Sequence, residues 1–175
     1  NIIFKYSNKD HSIINNFSHE FIAGKSYAIV GRSGSGKSTL IDIILNLLTP
    51  NSGEITLNKK YKLSNERNDN NTSFMRSNTL LIGQNDFYCG DKIKDFLEIS
   101  PYEENNNVFI ENLKDGIKIL EINEIFQKKF IDSYIGENGS KISGGQRQRL
   151  ILLKAILSKK SILIFDEALS SLDEL

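Results

Sequence analysis

Residues Gly31 to Thr39 read Gly-Arg-Ser-Gly-Ser-Gly-Lys-Ser-Thr, and their types and spacing suit the grip of a polyphosphate. Glycines leave backbone N–H groups free to curl around phosphate oxygens. A helix beginning near Lys37 adds the partial positive charge of its N-terminus at the same place. Lys37 can reach β- and γ-phosphates, and the Ser38 hydroxyl suits a Mg²⁺ ligand. A plain glycine turn joining strand to helix is the rival reading. It is outweighed because an apolar strand (Tyr27-Ala28-Ile29-Val30) precedes the loop and an apolar helix follows it.

Two further constellations carry chemistry. Ile162-Leu163-Ile164-Phe165-Asp166-Glu167 ends an apolar run on two carboxylates, at the strand edge where ligands bind in open α/β sheets. Asp166 suits the Mg²⁺ hydration shell, and Glu167 suits a general base for an attacking water. The alternative is a pair of acids opening the next helix, and the P-loop makes that the weaker reading. In Ile142-Ser143-Gly144-Gly145-Gln146-Arg147-Gln148-Arg149, Ser143 and Gln146 have capping-box spacing. The two glycines there expose N–H groups to an anion. From the residues alone, an anion site and a well-capped helix with a flexible entry both stand.

The elements that must position these groups alternate. Ile2-Ile3-Phe4 and Phe17 to Ile22 read as early strands. The P-loop helix is apolar nearly all round, so it should be buried, and it should stop before Pro50. Gly53 to Leu57 is a strand candidate. Asn58 to Asn78 is polar and asparagine-rich and reads as an exposed connection. Thr79 to Gly83 returns to strand, and Asp91 to about Phe130 has helical periodicity. A helix over about Gly145 to Ser158 leads to Ile162–Phe165, a strand of the kind buried on both faces. Strands and helices alternating around a P-loop predict an α/β core with a mostly parallel sheet.

The chain has 175 residues, 39% hydrophobic and 25% charged, which is ordinary for one globular domain with a sizeable core. A formal net charge of zero gives no polybasic field for nucleic acid or an anionic membrane surface, so no nucleic-acid partner is expected. The single cysteine, Cys89, excludes a disulfide framework and reads as a packing residue. No stretch is long enough to cross a bilayer, and no signal peptide is visible. The chain opens on Asn1 and closes at Leu175 inside a motif, so it reads as a piece of a longer polypeptide.

Taken in order, Gly31–Thr39, Ile142–Gln146 and Ile162–Glu167 resemble the nucleotide-binding domain of the ATP-binding cassette family, over nearly the whole chain from Ile2 to Asp173. Ile142 stands where that family's signature sequence usually has leucine. The resemblance implies a P-loop NTPase core, an N-terminal antiparallel β subdomain and a helical insertion. It implies one ATP-binding domain over 1–175. Residues 1–90 would hold the β subdomain and the first part of the core, 91–158 the helical subdomain with the signature, and 159–175 the acidic strand and D-loop. The rest of the domain would lie beyond Leu175.

It also implies roles. Tyr6 would stack on adenine. Gly31, Ser33, Gly34, Ser35, Gly36, Lys37, Ser38 and Thr39 would hold the ATP phosphates. Ser38, Gln84 and Asp166 would attend Mg²⁺, and Gln84 would border the transmembrane partner. Glu167, Lys37 and Gln84 would be catalytic. Ser143, Gly144, Gly145 and Gln146 of a second copy would cap the phosphates in a head-to-tail dimer, and Asp173 would reach across it. Glu137, in Gly136-Glu137-Asn138-Gly139, resembles an element of the exporter branch that meets the membrane domain.

The implied protein is an ATPase whose closure and opening drive export. It would sit on the cytoplasmic face of a membrane, attached through transmembrane domains outside this chain. Leu169 and Ser171 depart mildly from the D-loop pattern, and Lys159-Lys160 stand where proline is frequent. The family's switch histidine falls beyond the D-loop; His11 and His19 lie too early and read as surface residues. These residues alone are thus expected to bind ATP and turn it over poorly. The rival is a soluble ATPase of the same fold acting on ribosomes or nucleic acid, which usually carries basic surfaces or coiled-coil insertions. A degenerate domain that only binds nucleotide is opposed by intact Lys37, Asp166 and Glu167.

Overall fold

Short apolar runs set at a two-residue period give the strands of the first part of the chain, and a 3.6-residue period gives the helices of the second. The computed structural model describes residues 1–8, 10–63, 69–83, 91–122 and 130–166. Contacts divide the chain into two units, Asn1–Asn78 and Thr79–Leu175, each with its own apolar core.

In the first unit, β1 (Ile2–Phe4) pairs antiparallel with β2 (Ile14–Phe17). Their apolar residues Ile2, Phe4 and Ile14 form a core with Leu40 and Ile43 of α1 (Lys37–Ile44), the helix that follows the glycine loop. Helix α1 ends before Pro50, as its sequence predicts. Leu47 is exposed, so the apolar surface beyond the helix is not buried all round. A second antiparallel pair joins β3 (Thr56–Leu57) to β4 (Tyr61–Lys62).

Three expectations change here, the first being that the strand read over Phe17 to Ile22 lies instead at Ile14–Phe17. The asparagine-rich stretch is not merely a connection: residues 70–77 form α2 (Asn70–Ser77). Asp69 caps it, its carboxylate accepting from the Asn71 and Thr72 N–H groups, and Met75 and Thr72 are buried. Tertiary contacts decide this helix, because its own residues are poor helix formers. Residues 27–30 join no ladder with a described strand, and Val30 is 90% exposed. Apolar β-formers make a strand only where a partner takes their N–H and C=O groups.

In the second unit, β5 (Thr79–Ile82) pairs in parallel with β6 (Ile162–Phe165), in register from Thr79 with Ile162 to Ile82 with Phe165. Between them lie α3 (Ile93–Leu97), α4 (Pro101–Glu104), α5 (Asn107–Ile119) and α6 (Gly144–Leu157). Ile82, Ile93, Phe96, Ile122, Ile135, Leu150 and Leu153 fill the core. Gly116 of α5 lets α6 come close, since a Cβ there would lie 2.6 Å from the Leu153 Cδ1. Strand β6 is not buried on both faces. Leu163 is 45% exposed, and a sheet face is buried only where another layer lies over it. No helix among them is long and apolar enough to cross a membrane.

The head of α4 carries a pH-sensitive cap. Glu103 accepts from the Ser100 N–H at 2.9 Å and from its hydroxyl at 2.8 Å, while the Glu103 N–H donates back to that hydroxyl at 3.3 Å. These donors, the backbone N–H first, hold the Glu103 carboxyl below its ordinary 4.5. A depressed carboxyl stabilises the fold above its unfolded value, and that contribution fades as pH falls through the lowered one. NMR signals of residues 101–104 are expected to show α4 fraying below pH 4.5. Glu103→Gln should flatten that dependence.

Candidate functional site

The glycine loop owes its shape to steric limits. Gly34 and Gly36 hold φ of 76° and 93°, a left-handed backbone that L side chains avoid. A Cβ on Gly36 would also lie 2.6 Å from Ile13 Cγ2, and one on Gly31 2.5 Å from Ser35 Oγ. The Ser35 N–H donates to the Arg32 carbonyl at 3.1 Å, and the Leu40 N–H to Gly36 at 2.8 Å, which starts α1. Residues 31–35 are exposed, so Ser33 and Ser35 face solvent with the loop backbone.

Lys37 lies over this loop. Its ammonium donates to the Gly31 and Arg32 carbonyls at 3.3 and 3.4 Å, which puts a cation at the head of α1. Ser38 is exposed beside it. Thr39 is half-buried, and its Oγ1 lies 3.2 Å from the Tyr6 hydroxyl. Tyr6 packs edge-on against Phe4 with ring centroids 4.8 Å apart. The structure therefore ties Tyr6 to the P-loop helix, a link that no local sequence pattern announces. These residues fit a triphosphate, because left-handed glycines, a helix N-terminus and one ammonium converge on one exposed loop.

The second unit carries the other two motifs. Ser143 and Gln146 make the expected capping box at the head of α6: Gln146 Oε1 accepts from the Ser143 N–H at 2.8 Å, and Ser143 Oγ from the Gln146 N–H at 3.2 Å. Among the described residues, nothing lies within 4 Å of a Cβ placed on Gly144 or Gly145. Neither glycine has a positive φ, so among the described residues neither packing nor backbone strain calls for glycine there. Arg147 and Arg149 anchor the helix, donating to the Gly139 carbonyl at 3.3 Å and the Glu121 carbonyl at 2.9 Å. Asp166 follows β6 directly, and its N–H donates to the Ile82 carbonyl at 2.9 Å, which extends the parallel ladder to the carboxylate.

Glu137 is exposed in a short 3₁₀ turn (Glu137–Gly139) after left-handed Gly136. His11 and His19 are exposed, as expected. Gln84, Cys89, Glu167, Leu169, Ser171 and Asp173 lie outside the described residues.

The "ABC transporter" family matches residues 14–170. The chain is 36% identical over 177 aligned residues to the ATP-dependent lipid A-core flippase of Haemophilus influenzae, covering 99% of this chain and 28% of that protein. It is 35% identical to the flippase of the same name in Photobacterium profundum, covering 99% of this chain and 28% of the relative. The chain thus spans well under a third of these relatives. A solved bacterial Atm1-family ABC exporter with ATP bound superposes with a TM-score of 0.77 at 27% identity, covering 98% of this chain and 29% of that one. The fold is accordingly the α/β P-loop NTPase fold that the motifs predicted.

Proposed function

The chain belongs to the ABC transporter family, and we propose that it is an ATP-binding and ATP-hydrolysing domain that powers export across a membrane. The observation that carries this reading is a contrast between two sets of glycines. Gly34 and Gly36 are demanded by their positive φ, and Gly36 also by its closeness to Ile13, whereas among the described residues nothing demands Gly144 or Gly145. Open glycines at a capped helix N-terminus suit an anion brought by another surface. In this reading a second copy docks head to tail, and Ser143, Gly144, Gly145 and Gln146 of one copy close over the phosphates held at Gly31–Thr39 of the other.

Each residue then has a task. Tyr6 stacks on adenine. Lys37 and the loop N–H groups balance the charge on the phosphate oxygens. Ser38, Gln84 and Asp166 would hold Mg²⁺, which when bound supplies positive charge against the triphosphate. Glu167 takes a proton from the attacking water, and Gln84 and Lys37 orient the reacting groups. Asp173 reaches across the dimer. Hydrolysis weakens the shared grip, the copies part, and attached transmembrane domains on the cytoplasmic side follow that motion. Exposed Glu137 would meet those domains. Within the domain, 1–90, 91–158 and 159–175 divide the work as the motifs do.

The relatives named as ATP-dependent flippases support transport, and lipid-like cargo, over a soluble role on ribosomes or nucleic acid. The test uses the full-length protein in lipid vesicles, with a fluorescent lipid as reporter. ATP-driven translocation, absent with ADP, is expected. ATPase stimulated by ribosomes or nucleic acid, without translocation, would favour the soluble rival. Removing Mg²⁺ with excess EDTA should cut hydrolysis about 100-fold or more, reversibly on adding Mg²⁺ back. Full turnover in chelator would overturn the metal assignment.

A further inference from the structure

The far end of the P-loop helix is held by a cluster that none of the phosphate-binding motifs includes. Helix α1 closes in a Schellman motif: the Leu47 N–H donates to the Asp42 carbonyl at 2.8 Å and the Asn46 N–H to Ile43 at 2.9 Å, with Asn46 left-handed at φ 55°. The two carbonyls that follow, of Leu45 and Asn46, both accept from the Arg76 guanidinium of α2, through Nε at 3.1 Å and through Nη2. The buried Asn46 side chain donates to Thr72 Oγ1 at 3.0 Å, and that hydroxyl donates to Asp69, the cap of α2, at 2.6 Å. One end of α2 thus grips α1 through a charge and the other through a chain of neutral and ionised hydrogen bonds.

Helix α1 is only eight residues long, about 12 Å. Helices this short are marginal without tertiary anchors, so what holds the last turn adds to the core contacts of Leu40 and Ile43 in fixing the first. The first turn of α1 is the cradle: Lys37 and Ser38 begin it, and the Leu40 N–H closes its first bond onto Gly36. The guanidinium also lies at the negative end of the dipole whose positive end faces the phosphates.

From this geometry we propose that Arg76 is a positioning residue for the nucleotide site. Through Arg76, with Asn46 and Thr72 in support, α2 fixes the C-terminal end of α1 and thereby holds Lys37 and Ser38 against the glycine loop. The consequence for nucleotide rests on the functional reading above, while the clamp itself does not.

Hydrogen exchange on the nucleotide-free full-length protein tests the clamp, and Mg-ATP affinity tests its consequence. Arg76→Ala should speed exchange at the amides of residues 40–44 about 10-fold, leave α5 and α6 unchanged, and weaken Mg-ATP binding about 10-fold. Arg76→Lys keeps the charge without the planar fork and should recover part of both. Asn46→Gly keeps the left-handed backbone, removes the Thr72 link, and should give a smaller rise confined to α1. It decides the matter if the alanine variant fails to fold. Unchanged exchange at 40–44, a uniform rise throughout the chain, or a loosened α1 with unaltered ATP affinity would each overturn the proposal. A wild-type protein that binds no Mg-ATP would instead overturn the functional reading, and exchange at 40–44 would still decide the clamp.

Discussion

Replacing Lys37 with alanine is expected to weaken Mg-ATP binding about 100-fold and to bring hydrolysis to background. A charge-assisted contact to phosphate is worth about 1.5–3 kcal/mol, so the ammonium alone accounts for a loss of one to two decades. The ammonium lies over the Gly31 and Arg32 carbonyls, at the mouth of the loop. Folding should survive the change, because Lys37 is not part of the Ile2, Phe4, Ile14, Leu40 and Ile43 core. Lys37→Arg should restore the charge but little of the affinity, since a planar fork replaces a compact ammonium. Isothermal titration of the full-length protein with Mg-ATP measures both. An alanine variant that bound within a few-fold of wild type would remove Lys37 from the site.

Glu167→Gln should separate binding from chemistry. The amide keeps the shape of the side chain and loses the proton acceptor, so turnover should fall about 1,000-fold while Mg-ATP still binds. With hydrolysis stalled, ATP should stay between two copies, and a dimer should appear by size-exclusion chromatography with Mg-ATP and vanish with ADP. Turnover near the wild-type rate would reassign the general base. Lys37→Ala and Glu167→Gln therefore fail in opposite ways, one at binding and one after it.

Much of the local geometry around the candidate site was legible because its constraints are local. Left-handed glycines at 34 and 36, the box between Ser143 and Gln146, and the apolar run ending at Asp166 each follow from residue type and spacing within a few positions. What the sequence hid depends on partners far along the chain. Helix α2 was masked by its asparagines, and it is held by Arg76 donating to carbonyls about thirty residues earlier. The Tyr6 hydroxyl meets Thr39 across 33 positions. Residues 27–30 have strand composition without a described ladder, because composition gives a side-chain surface and not a pairing partner. The exposure of Leu163 is a related case, since a continuous apolar run predicts cover on both faces but does not supply the layer that gives it.

Hydrogen exchange across residues 33–38 of the full-length protein, with and without millimolar Mg-ATP, tests most directly whether this loop grips a triphosphate. Marked slowing of those amides with ATP, and none with AMP, is predicted, because N–H groups bound to phosphate oxygens are shielded from water. Identical exchange with and without Mg-ATP at saturating concentration would contradict the assignment of the loop and everything built on it.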